Sequence, residues 1–230
     1  GHVSTTIGLQ GIPALAETIA VSQLIQLASA SGVHLHLSQL SAQDSVDKVR
    51  IAKQSGVKVT ADVAIQNLLY TDAMIEAFSS IYHCLPPLRA DSDRQALLAG
   101  VIDGTIDAIT SAHQPHEAAA KQMPFAETEP GMSTIEFLLP MAQILSQQNE
   151  LTMELFIKAM TQGPAEVLAL PEATLNKGSI ANLVIYDAKQ VTTVAPQAII
   201  SRGKNTPLIG QNITGQVKAT ISKGRLVYES

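Results

Sequence analysis

Residues 109–121 read ITSAHQPHEAAAK and set two histidines, His113 and His116, on either side of a Gln-Pro step. Pro115 restricts the backbone between them, so the two imidazoles can converge on one pocket. There they could ligate a metal, shuttle a proton or hold an anion. A plain surface turn is the competing reading. A second pair, His34 and His36 in VHLHLSQL, stands two positions apart. On a strand both would face the same side. Metal ligands need that, but half-exposed or core histidines satisfy the same spacing. Polar groups also sit in otherwise apolar runs: Ser38 after His36, and Asp62 within KVTADVAI.

The elements that must position these residues alternate along the chain. A helix is expected from Pro13 to Ala30, with Leu15, Ile19, Leu24 and Leu27 at roughly helical spacing and Gly32 as its stop. A strand over 33–40 follows, then a helix over 43–54 with Val46, Val49 and Ile51 inward, then a strand over 58–65. Residues 71–80 read as a short helix capped by Thr71 or Asp72, and 81–85 as a strand stopped by Pro86 and Pro87. A helix over 92–104 with a Ser or Asp cap leads to a strand over 106–112. Short connections between alternating strands and helices imply parallel strands and right-handed crossovers. His36, Ser38, Asp62 and His113 then fall at strand C-terminal ends, the active-site face of a β/α barrel. After position 133 the pattern becomes helical over 133–148, 152–162 and 164–170. From 178 onward short β pieces are punctuated by Gly203, Gly210, Gly215 and Gly224. The expected division is a barrel portion over 1–172 and a β-sandwich portion over 173–230.

Composition bounds the function. The 230 residues can bury a sizeable core, being 46% hydrophobic and 15% charged. A net charge of −5 with no basic cluster argues against nucleic acid as a partner. No apolar run is long enough for a membrane span. The single cysteine, Cys84, excludes an internal disulfide and fits a cytoplasmic protein. No secretory leader pattern precedes the first helix. Cys84, Met141, Met153 and Met160 read as core residues, and Lys121 as a solvated loop end.

Six segments in order carry a resemblance: IGLQGIPALAET, HLSQLS, PPLRADSDRQAL, DGTIDAITSAHQPH, PFAETEPGMSTIE and SRGKNTPLIGQNITGQVKATISKGRLVY. Together they resemble the second half of a dihydroorotase of the amidohydrolase superfamily. The resemblance implies an α/β fold, the C-terminal part of a (β/α)8 barrel followed by part of a β-sandwich. It also implies pyrimidine biosynthesis, with reversible hydrolysis of dihydroorotate to carbamoyl aspartate, and zinc in the active members. His36-Leu37-Ser38-Gln39 matches a segment whose histidine ligates metal, so the resemblance marks His36 as a residual ligand. Ala112-His113-Gln114-Pro115-His116 matches Asp-His-Ala-Pro-His. The second histidine of that motif helps hold the substrate carboxylate, a role that falls to His116. His113, Arg89, Pro130 and Gly131 complete the implied ligand pocket. For Arg89 a structural salt bridge is the competing reading.

The departures are chemical. Ala112 stands where the motif has the aspartate that binds metal and moves the proton, so no catalytic residue remains at that position. Leu85 replaces the Asn of Asn-Pro-Pro-Leu-Arg, His83 replaces a lysine two positions earlier, and Ile65-Gln66-Asn67-Leu68 replaces Pro-His-His-Leu. Pro130-Gly131 and Glu136 are kept. FSSIYHCLPPLR, VTADVA, HQPHE and FAETEPGMS resemble the non-catalytic dihydroorotase-like branch that partners aspartate transcarbamoylase. The expected cofactor is therefore none, or a single weak metal. Only about four strand candidates are present where a whole barrel needs about eight. The open edges should then be covered by a missing N-terminal half or by another copy of the chain. Two alternatives stand beside a silent assembly subunit: an active metal-dependent hydrolase of cyclic amides, and a small-molecule binding module using the same pocket.

Overall fold

A computed structural model describes residues 2–171 and 174–230. The first layer is β/α. Helices α1 (His2–Ile7) and α2 (Ala14–Ser31) precede β1 (Leu35–Leu37), α3 (Gln43–Gln54), β2 (Val59–Ala64) and α4 (Ile65–Leu69). Then come α5 (Asp91–Asp103) and β3 (Ala108–Thr110). The strands pair in the order β1-β2-β3, all parallel, with Leu35 opposite Val59 and Val63 opposite Ile109. The expected parallel α/β arrangement is therefore present, with shorter strands than the residue pattern suggests. β2 is buried almost throughout, because β1 and β3 flank it, α3 packs against it, and Leu97, Leu98 and Val101 of α5 share its core.

The chain continues through α6 (Leu138–Gln147), α7 (Met153–Met160) and α8 (Gln162–Val167). Thr152 caps α7 by accepting the Leu155 N–H. The last part is an antiparallel sheet of β4 (Leu183–Thr193), β5 (Asn212–Ser222) and β6 (Arg225–Glu229), in that order. Lys223 and Gly224 both take positive φ, 50° and 76°, which closes the two-residue β5–β6 hairpin with the twist such turns favour. The inner end of this sheet is not separate from the barrel portion. Val194, Ile199, Leu208 and Ile213 belong to the same buried core as Val46, Val63, Leu97, Met141 and Phe156. The expected boundary at 172/173 lies outside the described residues.

Several expectations fail for identifiable reasons. Residues 71–80 form only a 3-10 turn over Asp72–Ile75, and neither Thr71 nor Asp72 caps it with its side chain. No strand forms over 81–85. Tyr82 closes a second 3-10 turn (Ser80–Tyr82), and the His83 carbonyl is taken by the Gly131 N–H and the Lys121 ammonium instead of by a neighbouring strand. Helix α5 starts after Ala90 with no side-chain cap. In α3, Val46, Val49 and Ala52 face inward at i,i+3 spacing, while Ile51 falls on the opposite side and is 61% exposed. The stripe on α2 also points outward: Leu15, Ile19, Leu24 and Leu27 are exposed, and Thr18, Val21 and Ala28 face the core. The first of the short β pieces expected from 178 onward is one long strand, β4, with register shifts against β5 at Ile185/Tyr186 and Asp187/Val191.

Candidate active site

The C-terminal ends of the three parallel strands carry the polar groups. At β1, His36 donates from Nε2 to Asp62 Oδ2 at 2.9 Å, and its Nδ1 lies 2.9 Å from Thr60 Oγ1. Asp62 is buried, yet every side of its carboxylate is occupied. The Ser38 hydroxyl donates to Oδ2 at 3.0 Å, and the Gln39 N–H donates to Oδ1 at 2.7 Å. Gln39 adopts φ 57°, which turns its N–H toward the carboxylate. A buried carboxylate needs such donors to stay in the protein interior. Asp62 therefore fixes both the loop after β1 and the orientation of the His36 ring.

Beyond β3 the chain makes the turn that carries Ala112, His113 and His116. Ala112 has φ 43°, a left-handed conformation that Asn and Asp tolerate better than Ala. His113 Nδ1 accepts the N–H groups of Thr134 at 3.1 Å and Ile135 at 3.3 Å. Those N–H groups begin the 3-10 turn over Ile135–Phe137, so the imidazole caps donors that would otherwise be orphaned. Burial holds the His113 pKa below the ordinary histidine value, against a smaller opposing pull from Glu136. Accepting both N–H groups on Nδ1 places the ring proton of His113 on Nε2. His116 donates from Nε2 to the Pro130 carbonyl at 3.0 Å, and its backbone N–H donates to Asn205 Oδ1 at 2.8 Å.

Asn205 is the hub of this loop. Its Nδ2 donates to the carbonyls of Gln114 at 2.9 Å and Gly131 at 3.0 Å, and its Oδ1 also accepts the Ser133 hydroxyl. Gly131 has φ 141°, and a Cβ there would lie 2.5 Å from Gln114 Cβ and 2.9 Å from His116 Nε2. A Cβ on Gly203 would lie 2.4 Å from His116 N. The His113–His116 loop is clamped between two glycines because no side chain fits on either face.

Arg89 is held elsewhere. Its Nε donates to the Ser41 hydroxyl at 2.7 Å, Nη1 to the Ile12 carbonyl at 3.1 Å, and Nη2 approaches Glu17 Oε2 at 3.5 Å. Burial alone would raise the Glu17 pKa. The Ser41 hydroxyl, the Ser41 N–H and the Ala42 N–H outweigh it and hold the carboxyl below its ordinary value. Arg89 thus joins α2 to the loop after β1. Together with Pro130 it borders a cavity of about 410 Å³ between segments 3–14 and 72–90, walled largely by Val3, Ile7, Ile12, Leu85 and Leu88. His36, His113, His116 and Gly131 do not line that cavity. The structure therefore groups His113, His116, Pro130 and Gly131 at one loop, leaves His36 with Asp62, and places Arg89 in a separate ion pair.

Lys121 is a correction. It is buried, not solvated, and its ammonium donates to the carbonyls of Ser80, His83 and Glu129 at 3.2, 3.2 and 2.6 Å. Desolvation pushes its pKa down. The lysine fastens segment 80–83 to the Gly131 loop.

The zinc centre that the resemblance implies would draw on His36 and on an aspartate at 112. Here a methyl group stands at 112, and Gln66 and Asn67 stand where the resemblance implies paired histidines. Asn67 Nδ2 is committed to the Pro87 carbonyl at 3.2 Å. Among the described residues, no group of three or more His, Cys, Asp or Glu side chains is placed to hold a metal. These residues do not fit a two-metal hydrolytic centre.

Comparison with known proteins places the chain. The amidohydrolase family model matches residues 3–227. The chain belongs to the amidohydrolase family. Among amidohydrolases it is 42% identical over 229 residues to a dihydroorotase-like protein of Pseudomonas aeruginosa, covering 100% of this chain and 54% of that protein. It is 38% identical over 222 residues to a dihydroorotase of Listeria monocytogenes, covering 96% of this chain and 52% of that one. The chain thus spans about half the length of the curated relatives it matches. Among solved amidohydrolase structures, an L-hydantoinase (dihydropyrimidinase) from Arthrobacter aurescens superimposes with a TM-score of 0.87 at 26% identity, covering 94% of this chain and 49% of that one. The inactive dihydroorotase-like domain of a CAD-like multifunctional protein from Chaetomium thermophilum gives a TM-score of 0.67 at 20% identity, over 90% of this chain and 54% of that one. The amidohydrolase barrel accounts for the parallel β1-β2-β3 sheet and for the polar groups at its C-terminal edge. No helix among the described residues is long and apolar enough to cross a membrane.

Within this amidohydrolase frame, the residues that sequence reasoning missed are the fasteners. Asn205 lies in GKNTP, a polar turn that gives no hint of a partner 89 positions away. Asp62 did carry a signal, a lone carboxylate inside the apolar run VTADVA.

Proposed function

We propose that the chain is part of a catalytically silent dihydroorotase-like protein of pyrimidine biosynthesis that supports assembly of aspartate transcarbamoylase in the cytoplasm. The observation that carries this reading is the methyl group of Ala112. Opening a cyclic amide by water requires a base to take the proton and a lone pair to hold the activated oxygen. A methyl supplies neither. The αL turn at 112 and the two-glycine clamp around His116 nevertheless hold a defined loop, which supports a scaffold role for this region. The outward stripe Leu15, Ile19, Leu24 and Leu27 and the free edge of β1 are surfaces for the other half of the barrel or another copy of the chain.

The test uses the protein that contains this chain, with zinc supplied. It should not hydrolyse dihydroorotate above background, and it should co-sediment with aspartate transcarbamoylase as a defined larger particle. Stoichiometric zinc with turnover, or failure to associate, would overturn the reading. The hydantoinase superposition favours one second reading, an active hydrolase of a related cyclic amide working with His36, His113 and His116. Turnover of a hydantoin or dihydropyrimidine by the unmodified protein would establish it.

A further inference from the structure

We propose that residues 117–130 form an acid-released lid, latched by the neutral His83 ring over the cavity between segments 3–14 and 72–90. The neck of the lid is pinned. Asn205 Oδ1 accepts the His116 N–H at 2.8 Å, Asn205 Nδ2 donates to the Gly131 carbonyl at 3.0 Å, and His116 Nε2 donates to the Pro130 carbonyl at 3.0 Å. A loop whose two ends are held together can move as one piece. Its body is held lightly. Among the described residues none of its side chains joins the apolar core, and the two that are buried, Lys121 and Thr128, are polar. The bonds that tie 117–129 to the rest of the chain land on Ser80 and His83. Lys121 Nζ donates to the Ser80 and His83 carbonyls, each at 3.2 Å, and the Ser80 hydroxyl donates to the Lys121 carbonyl at 2.6 Å. The His83 ring meets the Thr128 hydroxyl and stacks on Phe125, with centroids 4.8 Å apart. Phe125 and Pro130 wall the cavity beside His83 and Cys84, so lifting the loop uncovers it.

The latch works in one protonation state. The Thr128 hydroxyl gives its proton to the Phe125 carbonyl at 2.7 Å, so its oxygen accepts from His83 Nδ1 at 2.8 Å. The neutral ring keeps its lone pair on Nε2, where a second proton adds. The imidazolium so formed is half-buried and feels the Lys121 ammonium of the lid, with exposed Glu129 as the opposing charge. Tyr82 and Cys84 flank it in its own segment, and Asp72, Arg89 and Asp93 border the same cavity. Burial first, then Lys121, holds the His83 pKa below the ordinary histidine value, against Thr128 and Glu129. A ring held neutral when the lid is shut, and free to charge when it is open, stabilises closure above the ordinary pKa. That stabilisation is lost as pH falls toward the pKa of the closed form. The inference does not rest on the assembly reading, because opening the cavity requires neither turnover nor a partner.

The test labels Cys84 with a small methanethiosulfonate in the protein that contains this chain, read by mass spectrometry of the Cys84 peptide. Cys84 is 4% exposed and borders the cavity, so its labelling reports opening. Rates are taken from about pH 7.5 to about pH 5 relative to free cysteine. The relative rate should rise on acidification, by up to about tenfold per pH unit, the slope of one proton. Far-UV circular dichroism should stay constant over this range. His83→Asn keeps a donor near Thr128 but gains no charge, so its relative rate should be flat with pH. Thr128→Val removes the latch acceptor and should speed labelling about fivefold at pH 7.5. In the parent, the His83 ring signal followed by NMR should titrate below the ordinary value of about 6.5, which decides the matter if His83→Asn does not fold. No acid-dependent rise, the same rise in His83→Asn, or no change in Thr128→Val would overturn the proposal. So would a ring that titrates at or above the ordinary value, or a rise that accompanies loss of helical signal.

Discussion

Asn205 accepts the backbone N–H of His116 on its side-chain oxygen at 2.8 Å, across 89 positions of sequence. The same amide donates to the Gln114 and Gly131 carbonyls, so one buried side chain fixes the turn after β3 and the loop that faces it. Asn205→Ala leaves several buried polar groups without partners. At about 1–3 kcal/mol for each such group, partly relieved by relaxation, the loss should reach about 2–4 kcal/mol. Urea denaturation of parent and variant measures it. A change below about 1 kcal/mol would show that the loop holds without this hub.

Gly131→Ala should also destabilise. The added methyl meets Gln114 Cβ at 2.5 Å and His116 Nε2 at 2.9 Å, at a φ of 141° that L residues rarely adopt. Overpacking and backbone strain together should cost about 2–4 kcal/mol. By contrast, Gly56→Ala and Gly104→Ala meet no neighbouring atoms and should show only the smaller cost of their positive φ. Thermal melts of the three variants should rank Gly131→Ala lowest.

Position 112 gives two opposed outcomes. Ala112→Asn should raise stability by up to about 1 kcal/mol, because Asn tolerates the left-handed φ of 43° better than Ala. Ala112→Asp should bring no dihydroorotate hydrolysis even with zinc present, because Gln66 and Asn67 still stand where the resemblance implies a histidine pair. Coupled denaturation and activity measurements on the two variants check both statements.

The Glu17 carboxyl titrates below its ordinary value in the folded chain. The unfolded chain therefore binds the proton at a higher pH, and the stability that Glu17 contributes is present above the unfolded pKa and lost as pH falls through the folded one. Urea midpoints taken from about pH 6 down to about pH 3 should fall along this limb. Glu17→Gln should lower the plateau and flatten the fall, because the Arg89–Ser41–Glu17 link no longer titrates.

Much of the fold is legible in local pattern. Helices α2, α3 and α5 and strands β1, β2 and β3 lie inside or beside the segments that apolar spacing, Gly32, Gly56 and Gly104 mark out. Segment 71–85 departs from its local pattern because its backbone partners are distant. The His83 carbonyl is claimed by Gly131 and Lys121, which local propensity cannot register.

The sequence by itself determined which chemical groups exist: a methyl at 112, amides at 66 and 67, and histidines at 34, 36, 113 and 116. Identity limits chemistry, so a side chain at 112 that can neither ligate nor take a proton could be read without coordinates. Only the tertiary structure decided what the surviving groups do. His113 became a cap, His116 and Asn205 a clasp, Lys121 a buried fastener, and Arg89 the partner of Ser41 and Glu17. Each of those roles depends on which buried donor meets which acceptor. Such pairing is set by long-range packing, which residue spacing along the chain does not record.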